Sequence, residues 1–324
     1  MKIKPVSREF LWMAAGALFF VSSLLVLAFF QSSQTPAAQS DLKDKQLELV
    51  AEMRLTLIAA SEAEKSAVMA VTDQDSNVFA EQARSATAAV EKDRTQLGML
   101  LAGGGTQGEK EAFSQFSKAF VDLRRIDDEL LNLAVKNTNI KAYSLAFGPA
   151  ADALKEMYTA LSALVEKNAG SPEAAQAALP AFGAQTAALQ IQSLLAPHIA
   201  EESDKKMDEL EAVMSKHDKE VRKSLAGLAA LPKSGNDIEL GKAVSNYEKF
   251  TGVRRNILIL SRENTNIRSL AVSLGEKRKC FLLCQDALYA LQQAIQVPPV
   301  NGTSGGVSPG SGSLHDGKPA MVDK

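Results

Sequence analysis

The side chains in this sequence that could act as nucleophiles or metal ligands are few and scattered. Two cysteines, Cys280 and Cys284, stand four positions apart, and neither belongs to a Cys-x-x-Cys-His haem motif. The three histidines show no metal-ligand spacing such as His-Glu-x-x-His: His198, His217 and His315. No acid–base pair, activated nucleophile or phosphate-binding loop is evident. The sequence therefore predicts a protein that is not an enzyme and has no cofactor or metal site.

The two cysteines are best interpreted as small core residues. Cys284 continues an apolar helical stripe with Leu288 and Leu291. The alternative is an oxidised link to another chain, which an oxidising compartment would permit.

A second set of candidate residues occurs twice. The first motif contains Asn137, Thr138, Asn139 and Lys141, and the second contains Asn264, Thr265, Asn266 and Arg268. Asn and Thr at a helix break typically cap free N–H groups, which is the interpretation we favour. The alternative is ligand contact, because a helix N-terminus attracts anions and each motif is followed by a basic side chain.

Asp127 and Arg254 form a third candidate pair, because they occupy the same position in an internal repeat. Opposite charges at equivalent sites could meet across a dimer or line a polar pocket. A solvated helix face is the interpretation we favour. The neighbouring basic residues that could hold an anionic ligand are Arg124, Arg125 and Arg255.

The repeat that relates these residues has an offset of 127 residues, the separation of Asn137 and Asn264. Without any gap, the same shift places Phe120 on Tyr247 and keeps other apolar and glycine positions in step. A pentapeptide could recur by chance, but an apolar register over the whole length could not. The sequence therefore predicts a duplication.

Apolar residues in steps of three and four predict four helices in each copy. The stripe is clearest in the third helix: Phe113, Phe116, Phe120, Leu123, Ile126, Leu130 and Leu133. The predicted helices of the first copy are 41–71, 76–102, 108–136 and 139–168. Those of the second are 170–201, 203–229, 236–263 and 266–296, with kinks or shortening expected at Pro180 and Pro197.

Helices of similar length joined by short polar loops predict an all-α fold with two tandem antiparallel four-helix bundles, at 41–169 and 170–296. The alternative is that the two copies share helices and form one longer, bimodular bundle. The Gly-, Ser- and Pro-rich stretch 297–324 is predicted to be a disordered tail.

An uncharged apolar run at 10–30 predicts one N-terminal transmembrane helix, since about 20 residues span a bilayer. Lys2, Lys4 and Arg8 precede it, so residues 1–9 are predicted to be cytoplasmic and the chain after the linker 31–40 to be periplasmic. A cleaved signal peptide is the alternative. No second run of spanning length is present, and a net charge of −2 does not favour nucleic acid.

An anchor followed by four-helix repeats resembles the sensor region of bacterial methyl-accepting chemotaxis proteins, most closely at residues 258–279. The resemblance implies an inner-membrane sensory module that recognises a small molecule or a periplasmic binding protein. It also implies a homodimer, or pairing with full-length chemoreceptors. Because the sequence contains neither a second membrane helix nor a cytoplasmic signalling domain, we expect any signal to pass through such a partner. The alternative function is a non-sensing periplasmic scaffold or adaptor in an envelope complex.

Overall fold

The computed structural model describes residues 36–170, 172 and 174–297, and this part of the chain is helical and contains no strand. The first copy contains α1 (Pro36–Met69), α2 (Asp73–Gly104), α3 (Gln107–Ala134), α4 (Thr138–Leu145), the π-helical turn π1 (Ala146–Ala150) and α5 (Ala151–Asn168). The second contains α6 (Ala174–Ala200), α7 (Asp204–Ala229), α8 (Ile238–Glu263), α9 (Thr265–Val272), the π-helical turn π2 (Ser273–Lys277) and α10 (Arg278–Gln296). The all-α prediction is confirmed, and helix α6 continues through Pro180 and Pro197.

Short polar side chains set the starts of the helices. Thr72 accepts a hydrogen bond from the N–H of Asp75 at the start of α2. At the start of α3, Thr106 and Glu109 form a capping box, in which each side chain accepts from the other residue's backbone N–H. These caps fix the sharp reversals on either side of α2, so that α1, α2 and α3 lie side by side.

The fourth helix of each copy packs on the other copy. Helix α5 lies against α8 and α6, whereas α10 lies against α3 and α1. The structure therefore consists of module one (α1, α2, α3 and α10) and module two (α5, α6, α7 and α8). Our prediction that 41–169 and 170–296 each close a bundle of their own is wrong in this respect, and the alternative with shared helices describes the fold. The error has a physical reason, because an apolar stripe marks which side chains of a helix are buried but not which helices they pack against.

Two long segments, residues 107–168 and 238–296, each pass from one module into the other. They run antiparallel, since Asp127 faces the region of Lys277 while Lys167 pairs with Asp237. The offset of 127 residues recurs along them. Asn137 and Asn264 both adopt left-handed backbone conformations, with φ of 51° and 53°, and π1 and π2 stand at equivalent positions.

Each module has its own apolar core. In module one, side chains of α1, α2 and α3 pack on Cys284, Leu288 and Leu291 of α10. In module two, α5 and α6 pack against Tyr247 and Phe250 of α8. Both cysteines are buried free thiols, and burial raises the pKa of each. This is the environment expected of small core residues.

The predicted membrane anchor at 10–30 and the predicted tail, from residue 298 on, lie outside the described residues. Within the described ranges, no helix has both the length and the apolar character needed to span a bilayer.

Candidate functional site

The repeated Asn-Thr-Asn motifs meet where the two long segments cross, and we call these six residues the crossing: Asn137, Thr138, Asn139, Asn264, Thr265 and Asn266. Five of the six side chains are buried, and Asn266 is partly exposed. The N–H of Thr138 donates to Thr265 Oγ1 at 3.3 Å, and the N–H of Thr265 donates to Thr138 Oγ1 at 3.0 Å. Each threonine therefore caps the helix of the other copy.

The asparagines repeat this exchange one residue later. The N–H of Asn139 donates to Asn266 Oδ1 at 3.1 Å, and the N–H of Asn266 donates to Asn139 Oδ1 at 3.2 Å. Their amide groups also donate to Asn264 and Asn137, at 2.7 and 2.9 Å. The residues predicted to cap helices do so, but in trans, because the left-handed Asn137 and Asn264 make no cap bond to their own helices. The crossing is thus a two-fold set of reciprocal hydrogen bonds.

The basic residue that follows each motif lies outside this set. Lys141 is exposed and pairs with Asp73 at 2.9 Å, which lowers the pKa of Asp73. Arg268 is also exposed. Neither residue reaches the buried amides, so the two basic side chains and the crossing do not form one site.

Module one contains a set of buried residues, three ionisable and one a serine, that we call the buried ion cluster: Ser61, Glu64, Asp127 and Lys277. The side chain of Lys277 is 3 % exposed and that of Glu64 is 1 % exposed. The distance from Lys277 Nζ to Glu64 Oε2 is 2.5 Å. Lys277 Nζ also donates to Ser61 Oγ at 2.8 Å. Glu64 Oε1 and Asp127 Oδ1 are buried and have no hydrogen-bond partner among the described protein groups. The cluster therefore holds two carboxyl groups against one ammonium group.

Asp127 is the least satisfied member. Our prediction of a solvated face is wrong at this position, because the residue is only 7 % exposed. Burial raises its pKa to about 7, the charge of Lys277 opposes this, and Glu64 and Asp128 add to it. The apolar stripe explains the burial, since Ile126 and Leu130 on either side face the core and carry Asp127 inward with them.

Arg254, the counterpart of Asp127, lies in module two and does not meet it. Its guanidinium donates to Asp218 at 3.1 Å, and Asp218 also accepts from the Tyr247 hydroxyl at 2.7 Å and from Arg222 at 2.9 Å. Burial raises the pKa of Asp218, but the hydrogen bonds from Tyr247 and Arg222 and the neighbouring guanidinium charges hold it below the ordinary value. Arg254 and Asp218 therefore form a mostly buried ion pair, in which Arg254 Nη1 has no hydrogen-bond partner among the described groups.

The sequence did not identify Glu64 or Lys277, because a Glu and a Lys 213 residues apart in amphipathic helices are typical of solvated faces. The repeat contained the missing signal. The offset places Glu64 on Ile191 and Lys277 on Ala150, and both of these positions are buried in module two. A charged residue that aligns with a core residue is a candidate for burial. The described residues contain no group of three or more His, Cys, Asp or Glu that could hold a metal ion.

Comparison with protein-family models gives no match for this chain, and no curated protein matches its sequence.

Proposed function

We propose that this chain is a membrane-anchored, extracytoplasmic sensory protein of the chemoreceptor type, which binds a ligand and acts in chemotaxis or signal transduction through a partner. The observation that carries the proposal is the exchange of helices at the crossing. Each long segment belongs to both modules, so a displacement in one module is applied directly to a helix of the other.

The proposed mechanism is a choice between two packings of the long segments. The stretches formed by α4 and π1 (138–150) and by α9 and π2 (265–277) join the crossing to the fourth helices, and π-helical turns are frequent at functional sites. A ligand bound to one packing more tightly than to the other shifts the balance between them by that difference in affinity. The reciprocal hydrogen bonds at the crossing would then move both modules together.

The proposed location is the bacterial inner membrane, with residues 10–30 as a single-pass anchor, the N-terminus in the cytoplasm and the bundles in the periplasm. The apolar run and the preceding basic residues support this arrangement. Reporter fusions after residue 40 test it, since an enzyme that works only outside the cytoplasm should be active there. Activity of a cytoplasmic reporter at that point would contradict it.

The proposed partner is a second copy or a full-length chemoreceptor. Phe147 and Leu274, which occupy equivalent positions beside the crossing, are 68 % and 62 % exposed. An exposed apolar side chain in each of the two π-helical turns favours packing against another helix bundle. The same observation favours the second candidate function, a periplasmic scaffold or adaptor in an envelope complex.

A screen for thermal stabilisation by small molecules separates these two functions. A sensor gains stability from its ligand, because the ligand binds the folded state alone. A scaffold instead copurifies with a fixed partner and shows no stabilisation by any small molecule. Stabilisation by one chemical class would support the sensory function, and a full screen without stabilisation would leave the scaffold.

A further inference from the structure

Two members of the buried ion cluster, Ser61 and Lys277, line a cavity in module one. The cavity has a volume of about 360 Å³ and lies between α1 and the chain that runs through π2 into α10. Its polar lining residues are Ser61, Lys65, Ser273, Lys277 and Arg278, and its apolar ones are Leu274, Phe281 and Leu282. A volume of this order suits a small molecule.

The charges of the lining all have the same sign. Lys65, Lys277 and Arg278 are cationic, Ser61 and Ser273 carry hydroxyl groups, and no carboxylate lines the cavity. Lys65 and Arg278 are exposed and stand at the opening, whereas Lys277 is buried. Glu64 neutralises the charge of Lys277, so the two exposed cations, Lys65 and Arg278, together with the remaining N–H of Lys277, favour an anionic ligand whose oxygens accept hydrogen bonds.

Lys277 is held in place by the groups behind it. Two of its N–H groups donate to Ser61 Oγ and Glu64 Oε2, at 2.8 and 2.5 Å, and an ammonium group has three to donate. The π2 turn contributes Ser273 and Lys277 to the same side, four positions apart. Residues four positions apart lie on one face of a helical segment, so both side chains face the bundle.

Module two offers a matched comparison, because an open groove occupies the equivalent place. There the offset sets Gln192 on Lys65, Ala151 on Arg278 and Ala150 on Lys277, so all three cations are replaced. The groove of module two also includes two carboxylates, Asp152 and Glu166, and one cation, Lys155. The two sites share a scaffold but not a charge pattern, which argues that the cations of module one serve a ligand rather than the fold.

The apolar half of the cavity limits the class of anion. The ring of Phe281 and the side chains of Leu274 and Leu282 face the same space as the cations. Inorganic phosphate or sulfate would leave that surface without a contact, whereas a short hydrocarbon chain would cover it.

We propose that the module-one cavity binds a small organic carboxylate, whose carboxylate group meets Lys65, Lys277 and Arg278 and whose apolar body lies against Phe281 and Leu282. This inference rests on the proposed sensory function and names the chemical class of its ligand. The carboxylate would accept the third hydrogen bond of the Lys277 ammonium group. Because Lys277 also pairs with Glu64 and belongs to π2, binding would affect both the ion pair and the position of π2.

Titration calorimetry on the full-length chain in detergent tests the proposal with three isosteric probes: butyrate, butyramide and butylamine. Only butyrate should bind, and the series from acetate to hexanoate should tighten until the apolar lining is filled. Arg278→Gln and Lys65→Gln should each weaken butyrate binding about tenfold, since each removes one charge-assisted hydrogen bond.

Lys279→Gln is the matched control, because Lys279 is an exposed neighbour on the same helix and does not line the cavity. It should leave the affinity for butyrate unchanged. If Lys279→Gln and Arg278→Gln weakened butyrate binding equally, the loss would be due to general surface charge, and the proposal would be overturned. Binding of butylamine or butyramide in place of butyrate would overturn it as well, as would the absence of binding by every carboxylate. If a different class of molecule then stabilised the chain, the sensory function would stand while this assignment failed.

Discussion

The two modules have the same helical scaffold. At four equivalent positions, however, module one has polar or charged residues where module two has apolar residues at all but one. Module one buries Ser61, Glu64, Asp127 and Lys277, whereas module two has Ala188, Ile191, Arg254 and Ala150 there, of which only Arg254 is charged. The side chain of Arg254 is 14 % exposed and pairs with Asp218 on α7. The buried apolar residues Ala188, Ile191 and Ala150 show that the fold does not need the ion pair of Glu64 and Lys277. The ions of module one are therefore a specialisation, and buried ion pairs are weak evidence for stability in any case.

Carboxylates placed in the shared scaffold should affect both modules equally and produce the largest effect. Leu130→Asp and Ile257→Asp replace equivalent side chains with no exposed surface. Each should lower the free energy of unfolding by roughly 5 kcal/mol or more, because apolar contacts are lost and an unpaired carboxylate is buried. Chemical denaturation measures the loss. A wild-type midpoint for either variant would contradict the equivalence of the two positions.

Breaking the ion pair should affect module one alone. Lys277→Met leaves Glu64 buried without its ammonium partner and should cost about 3–5 kcal/mol. The double variant Glu64→Met/Lys277→Met should recover most of that loss, because it makes module one resemble module two. The converse change, Ile191→Glu, should destabilise module two, because Ala150 stands where module one has Lys277 and the buried carboxylate would have no ammonium partner. If the double variant is as unstable as Lys277→Met, then the buried ions are essential to the scaffold and the comparison fails.

Asp127 should give module one a pH dependence that module two lacks. Its pKa is about 7 in the folded chain and near 3.8 when unfolded, so the folded state holds the proton more tightly. Its contribution to stability is complete below about pH 4 and is lost as the pH rises through 7. Asp127→Asn should therefore be more stable than wild type at pH 8, by on the order of 1–3 kcal/mol, and no more stable at low pH.

Denaturation at pH 4 and at pH 8 measures the difference, with Arg254→Gln as the control at the equivalent position. Arg254→Gln should show no gain at pH 8. A constant effect of Asp127→Asn across this range would mean that the carboxyl group is ionised throughout.

The smallest effect should come from the crossing, where the two copies are nearly identical. Asn139→Ala and Asn266→Ala each remove the cap of the other copy's helix. Asn139→Ala also removes two hydrogen bonds donated by its amide group, to Ile199 O and Asn264 Oδ1, and Asn266→Ala removes one. Each should cost about 1–2 kcal/mol, and the double variant should cost less than the sum, because the two residues share partners. Additive losses would show that the hydrogen bonds do not act as one set.

Sequence alone predicted the helices well, because stripes such as Phe116, Phe120 and Leu123 have a period that only a helix satisfies. It predicted the repeat offset, which recurs in the π-helical turns and the left-handed asparagines. It did not predict which fourth helix enters which module, since periodicity marks a side chain as buried but does not identify its partner. The hydrogen bonds between Thr138 and Thr265 and the burial of Lys277 depend on that pairing, and the sequence could not determine either.

A bis-maleimide crosslink between Arg54→Cys and Gln292→Cys tests the helix exchange most directly. In the structure, Arg54 of α1 donates to Gln292 of α10 at 2.8 Å, although one residue belongs to the first copy and the other to the second. In a Cys280→Ala/Cys284→Ala background, the full-length chain should form this intramolecular crosslink efficiently with a short bis-maleimide, whose arm replaces the reach of the two long side chains. The matched pair Arg54→Cys/Val165→Cys uses the equivalent residue of the first copy and should not crosslink. Efficient crosslinking of the Val165 pair with none of the Gln292 pair would contradict the shared helices, and with them the proposed route for a signal between the modules.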